Sequence, residues 1–201
     1  MKKNKHITRT DIKKIYICSR FFCFIDFYKK IYYNIYIIKK EIKRSEKNMD
    51  IGSGSGWPSC ALSNFAPHPF IIDDVVCASM EGFLQSLKFK EPEMQVEVCK
   101  LVGKAAKFKG KKKKWWQTQT LFWQGQTFKR DSKEYQELLD RAFDALSTNT
   151  SFQKALLATG TATLTHSIGK TKQQETVLTR QEFCSRLTKI RERLREKAKD
   201  N

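Results

Sequence analysis

The sequence predicts a mainly α-helical domain with a minor β component, and two observations carry that expectation. Apolar residues recur at the 3.6-residue helical period in four stripes, whereas only Ile71-Ile72-Asp73-Asp74-Val75-Val76-Cys77 reads as a short β-branched hairpin. At 201 residues the chain suits one domain, large enough to bury a core without disulfide or metal staples.

Residues 1–48 hold 14 Lys/Arg against 4 Asp/Glu and are built largely from Lys, Asn, Ile, Tyr and Phe. Their composition shifts abruptly at Met49-Asp50-Ile51-Gly52, so the natural start is expected at Met49, with residues 1–48 outside the fold and residues 49–201 forming the domain. Arg20, Asp26, Lys29 and Lys30 break every apolar run there well short of the ~20 residues a membrane span needs. The body retains 25 basic and 17 acidic residues, a moderate excess.

The loop Gly52-Ser53-Gly54-Ser55-Gly56 lacks the Lys-Ser/Thr that completes a phosphate loop. Gly169-Lys170-Thr171 mimics the end of that motif, but Leu164 stands where it requires glycine, which argues against an ATPase. Six cysteines without a C-x-x-C pair read as reduced thiols in a cytoplasmic protein. Three scattered histidines predict no metal site.

Ser79 to Phe89 is the first helical stretch. Met80, Phe83, Leu84 and Leu87 collect on one side, while Gln85 and Lys88 fall roughly 40° and 20° from Glu81 around the axis. One helix thus offers a carboxylate, an amide and an amine in a line, although by itself the pattern also suits a surface helix with a solvated face. Pro92 begins a second helix, with Met94, Val98, Leu101 and Val102 at helical spacing. Lys104, Lys107, Lys109 and Lys111 to Lys114 then run into Trp115-Trp116, followed by Phe122 and Trp123. That mixture suits stacking a base and neutralising phosphate, or an ordinary solvated segment.

Tyr135, Leu138, Leu139, Ala142, Phe143 and Leu146 make a core stripe, and Phe152, Ala155 and Leu156 begin a short helix that Gly160 can cap. Residues 161–176 read as loop. Thr179 with Glu182 forms a capping box for a last helix buried through Phe183, Leu187, Ile190 and Leu194.

Several of these motifs, in order, resemble the NADAR family, also called YbiA-like. They are Leu62-Ser63-Asn64-Phe65, Ser79-x-Glu81, Gln85, Lys88-Phe89, Gly103-Lys104-Ala105-Ala106, the tryptophan region, Leu156-Leu157-Ala158-Thr159-Gly160 and Arg186-Leu187 to Ile190-Arg191. The resemblance spans most of residues 51–195. It implies a single compact YbiA-like helical domain that cleaves N-glycosidic bonds, either of ADP-ribosylated guanine in nucleic acid or of a phosphoribosylated riboflavin-pathway intermediate. It makes Glu81, Lys88 and Trp116 the catalytic set. Ser63, Asn64, Phe65, Gln85, Lys104, Gly160, His166, Lys170 and Glu175 become the substrate-binding set.

The chain departs from the family where a second carboxylate is expected. Thr165-His166 stands there, and Ser167-Ile168-Gly169-Lys170 replaces the family's Trp-Gly turn, so His166 and Glu175 both remain open as its substitute. No cofactor is implied, and the expected partner is an ADP-ribose-type nucleotide, free or on DNA or RNA, bound by a monomer with no membrane contact. The competing reading is a non-catalytic module that binds ADP-ribose or nucleic acid through the lysine and tryptophan region.

Overall fold

The computed structural model describes residues 32, 33 and 48–199, so the extension expected over residues 1–48 lies almost wholly outside the described residues. Among the described residues, three two-stranded sheets and six α-helices follow one another from Asn48 to Lys197. Strand β1 (Asn48–Asp50) comes first, then the hairpin β2 (Phe70–Ile72) and β3 (Val75–Cys77), and helices α1 (Met80–Ser86), α2 (Pro92–Cys99) and α3 (Gly103–Lys111). A second hairpin, β4 (Thr120–Trp123) and β5 (Gln126–Lys129), separates these from α4 (Lys133–Leu146) and α5 (Thr150–Ala158). Strand β6 (Thr163–Thr165) and the long α6 (Arg180–Lys197) close the domain. The fold is mainly helical with small sheets, as its apolar periodicity predicts.

The first hairpin forms where expected, with Ile72 opposite Val75 and both Asp73 and Asp74 at positive φ, 46° and 62°. Asparagine and aspartate tolerate that region because their short polar side chains satisfy nearby backbone groups, and such two-residue turns match the twist of paired strands. Two other expectations are corrected. The helix anticipated over residues 79–89 stops at Ser86, and the loop anticipated over 161–176 contains β6, paired in parallel with β1 through Met49 and Leu164. A three-residue strand carries too little periodicity to show in sequence; its partner lies more than a hundred residues away.

The core joins both halves. Phe83 meets Trp123 edge-on with ring centroids 5.0 Å apart, and Phe143 packs on Phe183 at 6.2 Å. Helix α1 lies against α2 and α3, while α4 covers β2 and touches α6. Helix α6 starts from the predicted capping box: the Thr179 hydroxyl accepts from the Glu182 N–H and the Glu182 carboxylate accepts from the Thr179 N–H. Among the described residues, no helix is long and apolar enough to cross a membrane.

Candidate active site

Helix α1 is too short to be stable alone, and its position is set by its ends and its neighbours. The Ser79 hydroxyl caps it, accepting from the Gly82 N–H at 3.0 Å while donating to the Leu101 carbonyl at 3.0 Å. Gly82 allows the close approach behind this cap, because a Cβ there would sit 2.7 Å from the Leu101 carbonyl oxygen and 2.9 Å from that of Cys99. On the other side the Glu81 N–H donates to the Asn64 carbonyl at 2.8 Å. Glu81 therefore lies in the first turn, where the helix dipole favours a carboxylate.

Every residue of α1 is buried, polar face included. Glu81 is only 4% exposed. Gln85 Nε2 donates to Glu81 Oε1 at 2.8 Å, and Lys88 Nζ, just beyond the helix, donates to Gln85 Oε1 at 2.6 Å. Lys107 reaches in from α3, its Nζ 3.5 Å from the same Glu81 oxygen. The Gln85 amide is oriented by this arrangement, since turning it over would set its oxygen against the carboxylate and its NH₂ against the ammonium. Burial and the Lys107 charge pull the Lys88 amine down to about 8, against the opposing pull of Glu81.

The space for Gln85 depends on α3 presenting small residues. A Cβ on Gly110 would stand 2.1 Å from Gln85 Oε1. Glycine-to-alanine changes inside helices ordinarily stabilise by about 0.5–1 kcal/mol. Gly110→Ala is expected to forgo that gain and to swing Gln85 away, breaking the link between Lys88 and Glu81. Circular dichroism should report an intact fold while the activity proposed below falls as far as in Gln85→Ala; full activity in Gly110→Ala would show that the link is dispensable.

The residues expected from sequence fall into two groups. Ser63, Asn64 and Phe65 lie beside α1, with Asn64 bonded to Glu81 and Phe65 packed where Gly103 begins α3, while Lys104 is exposed on that helix. Phe65 also lines a cleft of about 290 Å³ shared with Ser53, Cys60, Ala61, Pro67 and His68. The other group sits elsewhere in the contact network. Gln119 Nε2 bridges the carbonyls of Trp116 and Gln174, one residue before Glu175, and Glu175 pairs loosely with Lys170 at 3.9 Å. His166 is occupied structurally, with Nδ1 2.7 Å from the Ile51 carbonyl and its ring edge-on to Phe183. Gly160 ends α5 at φ 57°. Among the described residues, no hydrogen bond or ion pair joins Trp116, His166, Lys170 or Glu175 to Glu81, Gln85 or Lys88.

The aromatic platform expected after the lysines is corrected in part. Trp115 and Trp123 are core residues, the latter donating from Nε1 to Asp73, because they sit on the inward side of a turn and hairpin; Trp116 is 47% exposed. Sequence reading set Lys107 among the phosphate-neutralising lysines without pairing it with Glu81, and missed Gly110 as part of the site. Their signal was Ala106 and Gly110, one helical turn apart and small, marking the side of a lysine-rich helix that another helix covers. No cluster of three His, Cys, Asp or Glu capable of holding a metal ion occurs among the described residues.

A family model described as bacteriophage protein GP30.3 matches residues 56–192. The chain belongs to the bacteriophage GP30.3 family. A relative from Enterobacteria phage T4, an uncharacterised 17.1 kDa protein of the Gp30-rIII intergenic region, is 42% identical over 150 residues, spanning 73% of this chain and 98% of that protein. The NMR structure of the E. coli protein YbiA superimposes with a TM-score of 0.54 at 17% identity, covering 78% of this chain and 89% of YbiA. The GP30.3-family chain thus has the YbiA fold, in agreement with the NADAR resemblance of its motifs.

Proposed function

We propose that this protein is an N-glycosidase that releases a base from an ADP-ribosylated or phosphoribosylated N-glycoside, with Glu81 as the essential carboxylate. The observation that carries the reading is a carboxylate almost wholly removed from water yet held by the Gln85 amide, to which Lys88 is bonded, and by Lys107 rather than by a structural arginine. Burying such a group is costly unless its charge is used or fully paired. Here its ion-pair partner, Lys107, has a side chain 58% exposed, so an incoming anion can draw that ammonium aside and open the way to Glu81.

When the glycosidic bond breaks, its electron pair leaves with the base nitrogen and positive charge develops at the anomeric carbon. Glu81 stabilises that charge and can take the proton of the water that adds to the carbon. The lysines meet substrate phosphate. Lys88 supplies a second route, because at about 8 roughly a tenth of it is neutral amine at pH 7 and able to attack the same carbon.

Incubation with ADP-ribosyl-guanine and with a phosphoribosylamino-pyrimidine tests the reading: released base supports it, and a conjugate bound but recovered intact would leave only a binding module. Borohydride trapping separates the routes. On the amine route, trapped adduct should rise with pH through about 8, level off above it, and vanish in Lys88→Ala. Lys107→Gln should move that rise to higher pH by removing a like charge. No adduct at any pH leaves direct attack by water.

If the substrate is carried on nucleic acid, the basic segment should feel it. Lys113 lies over the Phe89 ring at 4.5 Å, next to Lys88, and Lys111 over Phe108 at 5.8 Å. Replacing Lys111 to Lys114 with glutamine should then weaken binding to modified DNA and flatten its dependence on salt. Unchanged affinity and slope would make the segment a solvated surface and point to a free nucleotide substrate.

A further inference from the structure

A groove of about 450 Å³ runs between β6 and α6, away from Glu81, and none of its lining residues belongs to α1 or α3. Its floor includes Arg191, which is 5% exposed. Nη1 of Arg191 donates to Thr159 Oγ1 and to the Ala162 carbonyl, both at 2.8 Å, fastening the turn after α5 onto α6. That contact uses only one corner of the guanidinium. Nε is shielded from water and has no hydrogen-bond partner, and Nη2 bonds to none of the described residues. The N–H groups of Nε and Nη2 point the same way and form the edge that grips a carboxylate or phosphate with two parallel bonds.

Buried donors in native proteins are nearly all satisfied, so the orphaned Nε, beside an Nη2 that is unpartnered but not shielded from water, indicates where an acceptor belongs. The lining adds the Lys189 ammonium and the hydroxyls of Thr161 and Thr163. Ser185 and Thr188 spend their protons on helix carbonyls of Glu182 and Cys184. Glu192 also lines the groove and opposes an anion, while Arg195 lies close enough to act on Arg191 in the sense of a like charge. Among the lining residues the fixed charges of Lys189 and Arg191 outnumber the one carboxylate.

We propose that this groove is a second small-molecule site, taking a compact oxyanion, phosphate or carboxylate, on the Nε–Nη2 edge of Arg191 with Lys189 closing over it. The inference is independent of the glycosidase reading.

The test follows the arginine Nε–H signals of the full chain by ¹H–¹⁵N NMR during titrations with inorganic phosphate and, separately, acetate at constant ionic strength. The Arg191 signal should move saturably while that of exposed Arg180 does not. Tighter saturation by phosphate assigns a phosphoryl ligand, and by acetate a carboxylate. Lys189→Gln, a surface change, should weaken saturation about tenfold, and Arg191→Lys should abolish it; should Arg191→Lys fail to fold, Lys189→Gln decides. A signal that stays still, drifts in parallel with Arg180, or saturates equally in Lys189→Gln would overturn the proposal and leave Arg191 as a structural clamp.

Discussion

Arg130→Ala is expected to destabilise the domain by about 3–5 kcal/mol, a large part of the total stability of a small protein. Arg130 is 1% exposed and serves three elements at once. Its Nε donates to the Thr176 carbonyl at 2.7 Å, its Nη1 and Nη2 grip both oxygens of Glu182 at 3.1 and 2.6 Å, and its guanidinium lies over Tyr135. Removing it strands a half-buried carboxylate that also caps α6 and accepts from Gln136 and Gln173. Substituting both partners with Arg130→Met and Glu182→Leu should recover little, because the Thr176 carbonyl and the Thr179 N–H would lose their partners as well. Urea unfolding of the three variants checks this; a loss below about 1 kcal/mol in Arg130→Ala would place the pair among weak surface bridges.

The same pair sets an acid limit. Burial pushes the Glu182 carboxyl up, but the bonds from Arg130 and from the Thr179 backbone outweigh it and hold the group at about 2, against an ordinary 4.5. A carboxyl depressed in the folded state binds fewer protons there than in the unfolded chain. Its stabilisation is therefore complete above about pH 4.5 and is lost as pH falls toward 2. That part of the acid transition should be missing in Arg130→Ala.

How much of this was legible in sequence depended on whether the deciding contacts were local. The α4 stripe, the Thr179 capping box and the Asp73-Asp74 turn are set by residues within a few positions of one another, and each formed as predicted. The β4–β5 hairpin was missed although Leu121, Trp123 and Phe128 alternate around Gln124-Gly125. Its turn puts glutamine at φ 44°, a residue seldom read as a turn former, beside a glycine that is. In the site, the register of Glu81, Gln85 and Lys88 was visible because it lies within one helix, whereas their burial was not. What covers them is α3, and no periodicity in α1 reveals that a lysine-rich helix more than twenty residues on would lay Ala106 and Gly110 over it. Arg130 with Glu182 was silent for the same reason, being a contact across 52 residues.

The central claim is that Glu81 does chemistry rather than holding a helix in place, and Glu81→Gln separates the two. The amide keeps the shape and can still meet Gln85 and the N-terminal turn of α1, but it carries no charge to oppose the cation forming at the anomeric carbon. Carboxylates and donors that act on transition-state charge commonly contribute on the order of 10² or more in rate. Single-turnover release of guanine from ADP-ribosyl-guanine, and of base from the phosphoribosylamino-pyrimidine, should accordingly fall at least that far in Glu81→Gln, with substrate binding retained and thermal unfolding little changed. Release at the wild-type rate from a folded Glu81→Gln protein would contradict the account and leave Glu81 as a buried cap beneath a binding surface.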